Sequence, residues 1–235
     1  ECAETVTIQQ PVAPNYATTE ARYTIDGVFK VSETPDQILS SMAAAMGGSV
    51  VFVGGKWKIY PATYRAPTIT LTEDDILGDI RVQTKLSRKD SFNGVKGTFT
   101  SPGENYEETD FPAVKNDYYM QLDNNERVWQ DIQLLLTNSP SKCQRLAKIA
   151  LEQNRQAISI QMTCTLKAYQ LEPKDTVNIT IARMGWTSKV FEVQQLTLVM
   201  SDSKSGGAPA LAVQLMLRET SSGVYDFNNG DKNRY

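Results

Sequence analysis

Histidine is missing altogether from the 235 residues. That removes Ser-His-Asp triads, Cys-His dyads, His-ligated zinc and imidazole general bases in one step. Cysteine is scarce: Cys2, Cys143 and Cys164 are widely spaced, odd in number and form no CxxC pair. A structural zinc site or a dense disulfide framework does not follow from such spacing. Cys143 and Cys164 each fall on the apolar side of a periodic segment and are expected to be buried free thiols. No run approaches the roughly 18 consecutive apolar residues of a membrane-spanning helix. A basic excess is missing too. Twenty-four Lys and Arg against 27 Asp and Glu give a net charge of -3, so no surplus is available to neutralise phosphates. Gly54-Gly55-Lys56 resembles the end of a P-loop but lacks its first glycine and its Ser or Thr.

What is present is ordinary globular composition, 40% hydrophobic and 22% charged, enough for one large domain or two modest ones. The chain opens Glu1-Cys2-Ala3 without a methionine or a signal region and trails off as a polar tail from Asn228 to Tyr235. The expectation is a piece cut from a longer polypeptide.

Two segments read as helices laid against sheets. Thr34-Pro35-Asp36-Gln37 opens the first, with Thr34 as cap, Pro35 at the first helical position and Gln37 completing a capping box. Ile38, Leu39, Met42 and Met46 share one face, and Gly47-Gly48 supplies a left-handed stop. Ser139-Pro140 opens the second, near 140–156, where Cys143, Leu146, Ala147, Ala150 and Leu151 form a stripe and Lys142, Arg145, Lys148 and Arg155 lie mostly outside it. Most of the rest is strand. Val50–Val53 and Lys56–Tyr60 form a hairpin around Gly54-Gly55. Ile158, Ile160, Met162, Cys164, Leu166 and Ala168 alternate as in a half-buried strand. Val177, Ile179 and Ile181 repeat the pattern, and Val190–Val193, Leu196–Met200 and Leu211–Leu217 continue it as short strands. Thr100 to Asn116 and Ser201 to Pro209 read as long loops. The reading is α+β and β-rich, with a small antiparallel barrel or meander and an α/β subdomain. It divides into 1–78, a β-α-β-β subdomain with an N-terminal lead-in, and 79–235, a β-rich domain.

Chemistry-bearing patterns each have a plainer reading. Glu73-Asp74-Asp75, and Glu107-Glu108 with Asp110, are carboxylates of the kind a glycosidase uses, but adjacent ones in polar segments belong to solvated turns. The serine-lysine chemistry of acyl enzymes needs no histidine, and its three patterns occur: Ser139-Pro140-Ser141-Lys142, Ser91-Phe92-Asn93 and Lys204-Ser205-Gly206. Their order along the chain is wrong for that chemistry, and the last lies in a polar loop. Ser139 is expected to be a helix cap. Lys85, Arg88 and Lys89 form a basic cluster diluted by Asp90. The sequon at Asn178 falls in a strand. No catalytic, cofactor-binding or metal-ligating residue is assigned.

One ordered set of residues points to a family. Arg22-Tyr23-Thr24 and Gly27-Val28 precede the first helix, and the Gly-Gly hairpin ends at Trp57 and Ile59. Arg88, Phe92-Asn93, Gly97-Thr98-Phe99 and Asp110-Phe111-Pro112 follow. Next come Arg127, Trp129 and Gln144-Arg145-Leu146-Ala147, then Gly185-Trp186, Lys189 and Phe191-Glu192-Val193. Glu219 and Tyr225-Asp226 close it. In this order the set resembles the hub region of the tip attachment or host-specificity protein J family of lambda-like siphophage tails. Met184 stands where an aromatic residue is expected before Gly185-Trp186, and fills the same apolar space.

The resemblance implies a virion structural protein of a phage or prophage, made in the bacterial host cytoplasm and placed at the tail tip. It implies a baseplate-hub-like fold in which three copies form a ring. The homo-trimer joins the tail tube and other tip proteins to receptor-binding parts further along the chain. It implies no catalytic residues, no cofactor, no sequence-specific nucleic-acid binding and no membrane span. A mildly acidic ring suits passage of DNA without sticking. The alternatives are a secreted carbohydrate-binding β module and an enzyme using Ser139 and Lys142. Gly185-Trp186 is expected in the core more than at an interface.

Overall fold

The computed structural model describes residues 5–7, 19–84, 87, 90–201 and 210–226. In chain order, β1 (Thr5–Thr7) and β2 (Thr19–Ala21) precede α1 (Pro35–Ala45). Next come β3 (Ser49–Val53), β4 (Lys56–Tyr60), β5 (Ile69–Thr72) and β6 (Arg81–Gln83). The middle holds β7 (Gly94–Ser101), β8 (Glu107–Asp110), β9 (Val114–Lys115), α2 (Asp117–Leu122) and β10 (Trp129–Leu134). Then α3 (Pro140–Arg155), β11 (Ser159–Cys164), β12 (Thr176–Ile181), β13 (Trp186–Ser201) and β14 (Ala210–Glu219) complete the series. The fold is mixed α+β and rich in antiparallel sheet, as expected.

The chain packs into two compact units, each built from separated segments. The first takes residues 1–63, 91–154 and 225–235, and the second takes 64–90 and 155–224. Residue 78, where the sequence pattern changes, lies inside the first segment of the second unit.

The second unit is one six-stranded sheet in the order β5-β12-β13-β14-β11-β6. Its pairs are antiparallel except β5 with β12, which run parallel. Strands β12, β13 and β14 form the expected meander, whereas a closed barrel is not formed among the described residues. One face is dry: Leu71, Ile160, Met162, Val177, Ile179, Phe191 and Leu215 are all buried in one cluster.

Two expectations fail here for identifiable reasons. Val190–Val193 and Leu196–Met200 are not separate strands but parts of β13. A bulge between Val193 and Gln195 adds one residue and moves the inward side chains from odd to even positions. The alternation through Ala168 also stops early, at Cys164, and residues 166–170 form a 3-10 turn. Ala168 and Leu171 are buried while Leu166 is exposed, which is a three-residue spacing in place of two.

In the first unit, α1 forms as read. Thr34 and Gln37 complete the capping box, and Gly47 takes φ 56° to end the helix, with Gly48 N–H donating to Ala43 O at 3.0 Å. β3 and β4 form the hairpin, and Gly54 and Gly55 take φ of 59° and 79° in its turn. β7 pairs with β8 and β9 antiparallel and with β10 parallel. The segment read as a loop from Thr100 to Asn116 therefore contributes β8 and β9. Gly97 is required by close approach: a Cβ there would sit 1.7 Å from Ile132 O on β10.

Candidate functional site

The polar patterns singled out in the sequence become anchors when folded. Pro140 sits at the start of α3, and Ser139 O accepts from Cys143 N–H at 3.1 Å, so Ser139 holds the cap position. Its hydroxyl does not turn to the helix amides. It donates to Glu20 Oε2 at 2.9 Å and lies 2.8 Å from Ser141 Oγ, which itself donates to Glu20 Oε1 at 2.6 Å. One carboxylate from β2 thereby sits over the positive end of α3. Lys142 Nζ donates to Thr24 Oγ1 at 2.6 Å, away from Ser139, so the S-x-x-K pattern does not assemble as a nucleophile and base.

One turn further along α3, Arg145 locks the same segment. Its Nη2 pairs with Glu20 Oε1 at 3.1 Å and its Nη1 donates to Arg22 O at 2.8 Å. Arg145 is 1% exposed. Burial pulls its guanidinium below its ordinary value, and Glu20 pulls the other way. Glu20, Arg22 and Thr24 were not singled out as partners of α3, and no local signal names them, because they lie more than 110 positions before it.

A second polar frame surrounds Asn93, which is fully buried. Its Nδ2 donates to Asp123 Oδ2 at 2.8 Å and to Glu126 O at 2.7 Å, and its Oδ1 accepts from Val128 N–H at 3.0 Å. Arg127 Nη1 donates to Asn93 O at 3.0 Å and Asn116 O at 3.2 Å, and Nη2 pairs with Asp117. The guanidinium also lies 5.8 Å from the Trp129 ring centre, and that ring covers Gly94. Ser91-Phe92-Asn93 is therefore a structural junction. Tyr23 Oη donates to Ala62 O at 2.6 Å, and Lys148 Nζ donates to Asp226 O.

In the second unit, Glu73, Asp74 and Asp75 form a 3-10 turn after β5. Asp75 Oδ2 accepts from Thr72 N–H at 3.0 Å and Lys167 Nζ at 2.8 Å. Burial raises its carboxyl, but Lys167 and Thr72 together outweigh that and hold it below the ordinary 3.8. Glu73 lies 3.9 Å from Arg183 at the mouth of a cleft of about 630 Å³ that also involves Ile76, Asp79, Ile80 and Met184. Trp186 packs on Phe191 with ring centres 5.5 Å apart and joins the core, and Lys189 lies 5.6 Å from the Trp186 ring centre and pairs with Glu219 at 2.9 Å.

Cys143 and Cys164 are buried and free. Burial pushes both thiols up to about 12, with Glu20 adding to it for Cys143 and Asp75 for Cys164, so both are inert at neutral pH. Glu107, Glu108 and Asp110 are exposed on β8. Among the described residues no cluster of His, Cys, Asp or Glu could hold a metal, and no helix is long and apolar enough to cross a membrane. Cys2, Lys85, Arg88, Lys89, Lys204-Ser205-Gly206 and the tail from Asn228 lie outside the described residues.

The first unit also exposes apolar surface. Phe52 and Trp57 are cross-strand partners with ring centres 5.0 Å apart, and they are 57% and 67% exposed. Ile59 shares that face of the hairpin and is exposed as well. Clustered apolar exposure of this kind marks contact surfaces.

The chain is 20% identical over 174 residues to the baseplate hub protein pb3 of Escherichia phage T5, covering 73% of this chain and 18% of that protein. The structure is similar to a chain in the virion of a native gene transfer agent particle, with a TM-score of 0.63 and 13% identity. That match covers 83% of this chain and 42% of the other. It is also similar to the 43 kDa tail protein of prophage MuSo2 from Shewanella oneidensis, with a TM-score of 0.53 and 12% identity over 94% and 62%. The chain thus spans less than a fifth of the curated relative and under two thirds of these neighbours. The family model described as "Putative phage tail protein" matches residues 34–196, and the chain belongs to that phage tail protein family.

Proposed function

We propose that the chain is a fragment of the hub at the tip of a phage or prophage tail, in the manner of a tip attachment or host-specificity protein. It joins the tail tube to receptor-binding parts and acts by assembly and positioning, without catalysis. Three copies form a ring, and the fragment's partners are those copies, the tube and other tip proteins. The observation that carries this reading is the similarity to a baseplate hub protein along 73% of the chain. The fate of the polar patterns supports it. Ser139, Lys142 and Asn93 each spend their hydrogen bonds on holding the fold, which is what a scaffold requires.

Sedimentation equilibrium over a wide concentration range tests the ring. The expected mass is three times 26.2 kDa, about 79 kDa. A mass of 26.2 kDa at every concentration overturns self-assembly of this fragment.

A further inference from the structure

The stretch before α1 has the composition of a strand and is not in one. Ile25-Asp26-Gly27-Val28-Phe29-Lys30-Val31 is dominated by β-branched and aromatic side chains, yet every residue from Ile25 to Ser32 is exposed. Val28 is 93% and Val31 106% exposed. Asp26 N–H donates to Leu136 O at 2.9 Å, and a Cβ on Gly27 would lie 2.5 Å from Leu136 Cδ2, so the stretch is pinned at its start. Beyond that point, among the described residues, the N–H groups of Val28, Phe29 and Val31 donate to nothing.

The place where such a strand belongs is open in the same unit. The order strand-competent stretch, α1, β3 is that of a β-α-β unit, whose first strand pairs parallel with the strand after the helix. β3 pairs with β4 alone, so its other edge is unpaired among the described residues. A two-stranded ribbon is marginal by itself and gains stability from a third strand. The ribbon also leaves Phe52, Trp57 and Ile59 uncovered.

We infer that residues 27–31 of one copy add as a strand to the β3 edge of a second copy. Both halves of the contact, the unpaired stretch and the unpaired edge, are carried by one unit of one chain, which is why the occupant is another copy. Each subunit gives a strand on one side and receives one on the other. Such a heterologous contact closes into a ring when the rotation permits. The exposed Val28, Phe29 and Val31, and the unpaired edge of β3, are then explained by a single contact. Main-chain ladder bonds supply its strength, as in other strand additions. The inference rests on the hub reading for the size of the ring.

The test compares the native chain with Val28→Pro and Phe52→Asp, using sedimentation equilibrium and amide deuterium exchange. Proline removes the ladder N–H at a position that touches nothing in the isolated chain, so the thermal melt of the monomer is expected to stay unchanged. The native chain is expected near 79 kDa, with the Val28 and Lys30 amides, which face the same edge of an extended strand, protected. Both variants are expected at 26.2 kDa. An unchanged oligomer in Val28→Pro overturns the strand addition while leaving the hub ring standing. Unprotected amides in a native oligomer do the same. Protection of these amides in a monomer overturns the inference by showing pairing within one chain, and a native monomer without protection overturns it together with self-assembly.

Discussion

The two units solve the same problem in opposite ways. The second buries a dry sheet face, with Leu71, Val177, Ile179, Phe191 and Leu217 fully covered and, among the described residues, only Thr176 and Thr220 as buried polar residues. The first buries Asn93, Thr137, Ser141, Lys142, Arg145 and Lys148, so all the buried charge of the described core is there. Nonspecific burial holds the second unit and tolerates exchange of one aliphatic side chain for another. The first also buries an apolar core, with Val95, Phe99, Leu146 and Leu151 covered, and adds specific pairing, where removing a single partner strands a desolvated group.

Substitutions sharpen this contrast, beginning with the largest effects. Phe191→Ala, in the dry core, is expected to cost about 3–5 kcal/mol, read as a lower midpoint in urea unfolding. Arg145→Ala is expected to cost about 3–5 kcal/mol by leaving the Glu20 carboxylate unpaired over α3. The paired replacement Glu20→Leu with Arg145→Met should recover most of that loss, whereas no second change of this kind rescues Phe191→Ala. If Arg145→Ala is as mild as an ordinary surface change, the first unit is not held by its charges and the contrast fails.

Acid gives a smaller effect in the second unit. Asp75 titrates below 3.8 when folded and near 3.9 when unfolded. Its contribution is therefore complete above the unfolded value and is lost as pH falls through the folded one. Unfolding free energy measured from pH 6 down to pH 2 should decline more steeply below about pH 4 in the native chain than in Asp75→Asn. The smallest effect is at α1: Thr34→Ala removes the capping box and is expected to cost about 1 kcal/mol, visible as a modest shift in thermal midpoint.

The same contrast governs how much could be read from the sequence. Local rules were sufficient for α1, the Gly54-Gly55 hairpin, β12 and the start of α3, since each is written within about a dozen residues. They failed on β13 because a single bulge residue reverses the alternation, and on residues 100–116 because β8 and β9 are polar strands that pair only through β7. Buried thiols at Cys143 and Cys164 were legible from periodicity. The anchoring of Ser139, Lys142 and Arg145 by Glu20 and Thr24 was not, because hydrogen bonds between residues so far apart leave no periodic trace. The periodicity of α3 puts Lys142, Arg145 and Lys148 outside its apolar stripe, yet all three are buried, because they pair with groups far along the chain; the role of Arg145 as the centre of a clamp needed coordinates. The exposed strand-like stretch from Ile25 to Val31 was legible only in part, as Gly27-Val28 within that set.

The hub reading is tested most directly by locating this chain in particles that carry it. Electron microscopy of tails labelled with an antibody raised against the chain, with gold on the antibody, is expected to show label confined to the tip where the tube ends. Label along the whole tube, or on the capsid, would contradict a hub and leave only membership of the phage tail family standing.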